Sequence, residues 1–240
     1  MNKKLIVIIF AIAIATAIML IIAAFTIVNN NSNNNKQANN TNSNINKQQN
    51  NVSDNEQKNI NSEYNPQTQN KKILIAFFSR AGENYSVGTV QVGNTEIMAN
   101  NIAELTGGDL YKIEPENPYP SSYEDTIEVV KKEQSENSRP KIKNTINNID
   151  EYDIIFIGYP IWWSDMPMCV YTFLESYDFS NKTIIPFNTH EGSGNAGTYT
   201  IIKNKLINSN VLDGLAIQGK NAREDSSKQT IEKWIKELEF

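Results

Sequence analysis

Three short stretches of the chain carry residue types that could do chemistry together. The first runs Ser79-Arg80-Ala81-Gly82-Glu83-Asn84-Tyr85 and resumes, after an intervening loop, at Gly93-Asn94-Thr95. Hydroxyls and glycines at a helix start offer backbone N–H groups and roughly half an elementary charge of positive dipole, a phosphate cradle that needs no lysine. The GxxxxGK[ST] pattern of a triphosphate-and-magnesium loop is missing. The bland alternative is a capped helix after a surface turn. The second stretch is Pro160-Ile161-Trp162-Trp163-Ser164-Asp165. Neighbouring side chains on an extended segment point to opposite sides, so both indoles cannot easily enter one core. One is expected at the surface, where stacking on a flat aromatic ligand contributes ~0.5–1.5 kcal/mol beyond the area buried; the alternative is a tryptophan that covers a helix edge. The third is Thr189-His190-Glu191-Gly192-Ser193-Gly194. Its glycines permit positive φ and close backbone approach to a ligand, and a solvated His190 is the simpler reading than a proton donor.

The usual catalytic side chains are scarce. The chain has one cysteine, Cys169, and one histidine, His190. A disulfide framework, a Cys/His zinc site and a separate Cys/His nucleophile pair all lack their parts. Cys169 falls in an apolar helical stretch and reads as a packed thiol. No catalytic residue and no metal ligand set is assigned, so any redox chemistry comes from a cofactor. Residues 71–240 carry 17 basic and 24 acidic side chains, a net of −7, which disfavours a nucleic-acid partner.

Strand and helix signals alternate around these stretches. Lys72–Phe78 (KILIAFF) is a near-continuous apolar run, as in a parallel strand covered on both faces. Asn94–Thr106 places Met98, Ile102 and Leu105 at helical spacing and ends at Gly107, a left-handed cap. Asp109–Ile113 is a second strand, followed by Ser121-Ser122-Tyr123-Glu124, a capping box opening a helix with Tyr123, Ile127 and Val130 on one face. Asp153–Gly158, Thr183–Asn188 and Val211–Gln218 read as strands; Met166–Tyr177, Asn195–Ile207 and Ser226–Leu238 read as helices. Five strands alternating with five helices form an α/β doubly wound parallel sheet. Ligands bind at the carboxyl ends of such strands, where all three stretches fall.

The run KILIAFFSRAG, the later Gly93-Asn94-Thr95, GYPIWW and PFNTHEGSG together resemble the flavodoxin family, in a branch with a split phosphate loop. The similarity spans residues 71–240. It implies a flavodoxin-like five-stranded fold with strand order 2-1-3-4-5 and a non-covalent FMN. By that resemblance Ser79, Ala81, Gly93, Asn94 and Thr95 hold the phosphate, and Arg80 stands as either a phosphate partner or a solvated loop residue. Pro160, Ile161, Trp162 and Trp163 cover one side of the isoalloxazine, and Thr189, His190, Glu191, Gly192, Ser193 and Gly194 line its edge. The family's short S/T-x-T-G-x-T loop is interrupted here by 11 residues between Ala81 and Gly93. An acidic domain with no obvious cation beside the ring disfavours an anionic reduced flavin, lowering a one-electron potential by ~60 mV per 1.4 kcal/mol. A low-potential electron carrier is expected, its acceptor a small molecule or a basic redox protein that is held less tightly at high salt. Two rival classes stand beside it: an FMN-dependent NAD(P)H reductase of quinones or nitro compounds, and a surface binding module without flavin.

Residues 1–28 and 29–70 are expected to form an anchor and a linker. From Leu5 to Val28 the chain has no charge, Pro or Gly, and at ~1.5 Å per residue a helix there reaches about 36 Å against a hydrocarbon core of about 30 Å. Lys3 and Lys4 precede the span and the next cation is Lys36, an asymmetry that keeps the N-terminus in the cytoplasm and sets the domain on the extracytoplasmic side of the cell membrane. A cleaved signal peptide is the competing reading. Residues 29–70 include 18 Asn and 6 Gln, too little apolar surface to offset ordering entropy, and read as a disordered linker.

Overall fold

The computed structural model describes residues 71–238 and 240. The expected anchor and linker lie outside these residues, and no helix among the described residues is long and apolar enough to cross a membrane. Along the chain come β1 (Ile73–Phe77), β2 (Gly82–Asn84), β3 (Gly88–Val90), α1 (Asn94–Thr106), β4 (Asp109–Lys112), α2 (Tyr123–Ser135), β5 (Ile154–Pro160) and α3 (Met168–Ser176). β6 (Thr183–His190), α4 (Thr198–Lys205), β7 (Asn210–Val211), β8 (Leu215–Gln218), the single-turn α5 (Gly219–Ala222) and α6 (Ser226–Glu237) complete it.

Every residue of β1 is buried because both faces of the sheet are covered. Alternate strand residues point to opposite sides: Leu74, Ala76 and Phe78 enter one core, and Ile73, Ile75 and Phe77 the other. β5 divides likewise, with Ile155, Ile157 and Tyr159 opposite Ile154 and Phe156. Cys169, Val170, Phe173 and Leu174 of α3 close the first core; Met98, Ala99 and Ile102 of α1 and Ile231 of α6 close the second. Each fully buried aliphatic or aromatic side chain contributes ~1.5–3 kcal/mol by leaving water. α1 ends as the sequence indicates, with Gly107 at φ 71° donating its N–H to the Ala103 carbonyl.

The main sheet is parallel, in the order β4-β1-β5-β6, with β7 and β8 both beside β6. This is the expected 2-1-3-4-5 arrangement with one correction: the fifth strand is broken. Leu212 N–H reaches the Ile184 carbonyl at 2.9 Å, so alternate residues of β6 from Ile184 direct their polar groups towards the fifth strand. Pro186 is the next of these and has no N–H to give. The ladder lapses there and resumes at Phe187 against Leu215. Two further differences concern the first site. The intervening loop is an antiparallel hairpin, β2 with β3, and the cap of α2 sits one residue later than the sequence pattern indicates, with Ser122 Oγ accepting Asp125 N–H at 3.3 Å.

Candidate functional site

β1 delivers Ser79, buried, directly beneath the first turn of α1. Its Oγ accepts the Glu96 N–H at 3.1 Å, a cap supplied from outside the helix because the N-cap residue is Gly93, which has no side chain. Glycine is required there by space. A Cβ on Gly93 would lie 2.5 Å from the Arg80 carbonyl oxygen and against Ser79 Oγ. The two ends of the interrupted loop therefore touch, and the amides of Asn94 and Thr95 are left as the free donors of a helix start. Arg223, from just past α5, donates to the Val92 carbonyl (2.9 Å) and to Asn94 Oδ1 (3.0 Å), fixing that start. Thr95 Oγ1 lies 2.8 Å from Thr189 Oγ1, a buried link to the end of β6.

Arg80 is not a solvated loop residue. Its Nη1 donates to the carbonyls of Pro120 (2.7 Å) and Ser121 (3.1 Å), and its Nη2 to the carbonyl of Glu83. All three acceptors are neutral, and the buried Nε has no partner. Burial lowers the guanidinium pKa, with Glu83 and then Tyr123 opposing. The hairpin is pinned by the same residues: Glu83 N–H reaches the Ser121 carbonyl (2.8 Å), and Glu83 Oε2 accepts the Tyr123 N–H (3.1 Å) at the start of α2, where a negative charge is favoured by the helix dipole.

The ends of β5 and β6 form the other half of the site. Trp162 sets its ring edge-on to Phe78 and Tyr119, with centroids 5.2 and 5.1 Å apart, and belongs to the packing. Trp163 is the presented indole, 39% exposed, with Lys131 Nζ 5.7 Å from its ring centre. Asn188 is buried at the end of β6. Its Nδ2 donates to the Gly194 carbonyl (3.0 Å) and its Oδ1 accepts from Tyr199 (2.6 Å), which holds the third loop. His190 Nδ1 accepts the Gly192 N–H at 2.9 Å, so the neutral ring carries its proton on Nε2. Burial depresses the His190 pKa, with Glu191 opposing. The folded value lies below the unfolded one, so stability from neutral His190 is complete above the unfolded pKa of about 6.5 and is lost as pH falls through the folded value. Melting temperatures of the ligand-free protein are expected to fall from about pH 7 to about pH 5, and His190→Asn to flatten that part of the curve; an unchanged curve in the variant refutes the assignment.

These elements enclose one cleft of about 230 Å³. Ser79, Arg80, Asn94 and Thr95 line one end; Pro160, Ile161, Trp162 and Trp163 line another wall; Thr189, His190 and Glu191 line the third. Residues 72–238 match the model of the flavodoxin family. The chain belongs to the flavodoxin family. Among solved structures it is similar to a candidate flavoprotein of Bacteroides eggerthii DSM 20697, at 32% identity over 70% of this chain and 98% of that one, with a TM-score of 0.58. A second candidate flavoprotein, from Bacteroides uniformis ATCC 8492, is 30% identical over 70% and 99% of the two chains, with a TM-score of 0.57. A flavoprotein from Lactobacillus acidophilus NCFM, solved in complex with FMN, is 22% identical over 61% and 93%, with a TM-score of 0.49. No protein of curated function matches the sequence.

Within this flavodoxin cleft some expected residues are absent and others are new. Gly93 lies beneath the cradle, buried. Ala81 faces a neighbouring cavity behind the loop. Gly192 and Ser193 are exposed, and the Gly194 carbonyl is turned to Asn188, and none of these five lines the cleft. Asn84, Tyr85, Tyr123 and Thr126 do. Tyr85 and Tyr123 lie with ring centres 5.9 Å apart, tilted by 33°. The aromatic residue opening an amphipathic helix is a signal for Tyr123; nothing local marks Thr126, which is buried against its own helix start.

Proposed function

We propose that this flavodoxin binds FMN in the cleft and serves as an electron carrier, tethered to the cell membrane by residues 1–28 with its domain on the extracytoplasmic side. The observation that carries the reading is Arg80. A half-buried cation whose hydrogen-bond acceptors are all neutral carbonyls, with one buried N–H left without a partner, stands beside a helix start whose Gly93 leaves no room for a side chain. Such a cradle suits an anion with several acceptor oxygens, which the phosphate of FMN supplies.

FMN is the cofactor, and it supplies the redox chemistry while the protein binds, orients and shields it. Ser79, Arg80, Asn94 and Thr95 would hold the phosphate; Trp163 would cover the ring; the Thr189–Glu191 segment would border its edge. The charge on that border is Glu191, with neutral His190 beside it, an arrangement that disfavours added negative charge and so supports a low potential. The open Tyr85–Tyr123 pair gives the alternative, an FMN-dependent reductase acting on a flat second substrate, its one favouring feature.

Adding FMN to the purified protein is expected to produce a bound flavin spectrum, and reductive titration then shows whether electrons are taken up singly or in pairs. Trp163→Ala is expected to weaken binding about two- to tenfold, the worth of one aromatic stacking contact. A protein that stays colourless after FMN addition overturns the reading. Protease added outside intact cells is expected to remove the domain.

A further inference from the structure

The turn that presents Trp163 has an unusual backbone. Trp162 and Asp165 exchange both backbone hydrogen bonds, at 2.8 and 3.1 Å, across two residues with positive φ, Trp163 at 45° and Ser164 at 62°. Two-residue turns of that shape normally take Asn-Gly, because a Cβ in the left-handed region is strained. A tryptophan there is an outlier, and strain of this kind persists only where its surroundings enforce it.

The enforcing contacts converge on one carboxylate. Asp165 Oδ1 accepts the Met166 N–H at 2.7 Å and the Tyr171 hydroxyl at 2.9 Å. Tyr171 is itself held: Arg139 and Lys205 lie 4.9 and 5.6 Å from its ring centre. Both cations pair with Glu175, at 2.7 and 2.6 Å. On the other side of the turn, Gln134 Nε2 donates to the Trp162 carbonyl at 3.0 Å. The turn is thus tied to α3 through Asp165 and to α2 through Gln134.

Resting on the FMN reading, we propose that Asp165 is a positioning residue for the flavin site: it touches no ligand, but through Tyr171 and the start of α3 it holds Trp163 in the strained conformation that presents the indole to the ring. A neutral amide keeps an oxygen where Oδ1 stands and can accept from both donors, whereas alanine cannot.

The test is a double-mutant cycle on the purified full chain, read by FMN titration and by the near-ultraviolet circular dichroism of the ligand-free protein. Asp165→Ala is expected to weaken FMN binding about tenfold and to flatten the tryptophan signal, while Asp165→Asn stays within about twofold of the parent. Trp163→Gly, which relieves the backbone, is expected to raise the melting temperature by about 2–4 °C while weakening FMN binding. In the Trp163→Gly background, Asp165→Ala should change FMN affinity by less than about twofold, because its route of action is gone. An equal loss in both backgrounds, or an unaltered affinity in Asp165→Ala, overturns the proposal. If Asp165→Ala fails to fold, Tyr171→Phe removes one hydroxyl and should give about a threefold loss with the same dependence on Trp163. A parent protein that binds no FMN defeats the flavin reading instead; the dichroism and melting data then still decide whether Asp165 holds the turn.

Discussion

Gly93→Ala is expected to lower FMN affinity by about two orders of magnitude. The added methyl would sit 2.5 Å from the Arg80 carbonyl oxygen and against Ser79 Oγ, and neither can yield alone. The carbonyl is backbone, and Ser79 is buried with its hydroxyl committed to Glu96 N–H. The loop ends must part, which displaces the donors of the first turn from any group seated there. Hydrogen bonds to a charged acceptor contribute about 1.5–3 kcal/mol each, so misplacing one or two removes about 3 kcal/mol, or two decades of affinity. The overpacking itself should destabilise the ligand-free protein by ~1–3 kcal/mol. Fluorescence titrations with FMN and with riboflavin check the cause. Riboflavin lacks the phosphate, so its affinity should change far less. A folded variant with parental FMN affinity would mean that the cradle is elsewhere.

Arg80→Met should act on stability and on selectivity together. The guanidinium serves three carbonyls from two segments, Pro120-Ser121 and the hairpin at Glu83. Removing it leaves those oxygens without a charged donor and the hairpin held to α2 by Glu83 alone, a loss of about 2–4 kcal/mol. It also removes the cation among the residues that line the phosphate end of the cleft, so the preference for FMN over riboflavin should shrink about tenfold or more, and FMN binding should lose part of its salt dependence. Arg80→Lys separates the two effects. It keeps the charge but not the planar fork, so it should recover part of the selectivity and little of the melting temperature. If Arg80→Met lowers stability while leaving the FMN-to-riboflavin ratio intact, Arg80 is a clamp only.

The parts of the site legible in the sequence are those whose chemistry is local. Ser79 and the indole pair sit at strand ends that apolar runs announce, Gly93 stands at the start of an expected helix, and their residue types state what they can do. The division of labour between Trp162 and Trp163 is half visible: alternation says that one must turn outward, but which one depends on Phe78 and Tyr119, distant in sequence. Arg80 is ambiguous in the sequence because two of its three acceptors, the carbonyls of Pro120 and Ser121, lie 40 and 41 residues on. The hairpin is invisible there because strands of three residues carry no readable alternation. The break in the fifth strand has a signal, Pro186 within TIIPFN, but its meaning requires knowing which edge of β6 that residue faces. Tyr123 falls on the expected helix, and its role comes only from Tyr85 and Glu83 across the fold.

Arg223 gives the molecule a schedule. It lies 131 residues beyond Val92, yet it fastens Val92 and Asn94 at the opening of α1. During synthesis the segment that grips phosphate emerges long before the residue that latches it. Maturation of the pocket therefore waits for the stretch that carries Arg223, and fragments ending ahead of it should leave the ribosome with the loop unlatched, poor at retaining flavin however well the earlier strands have paired.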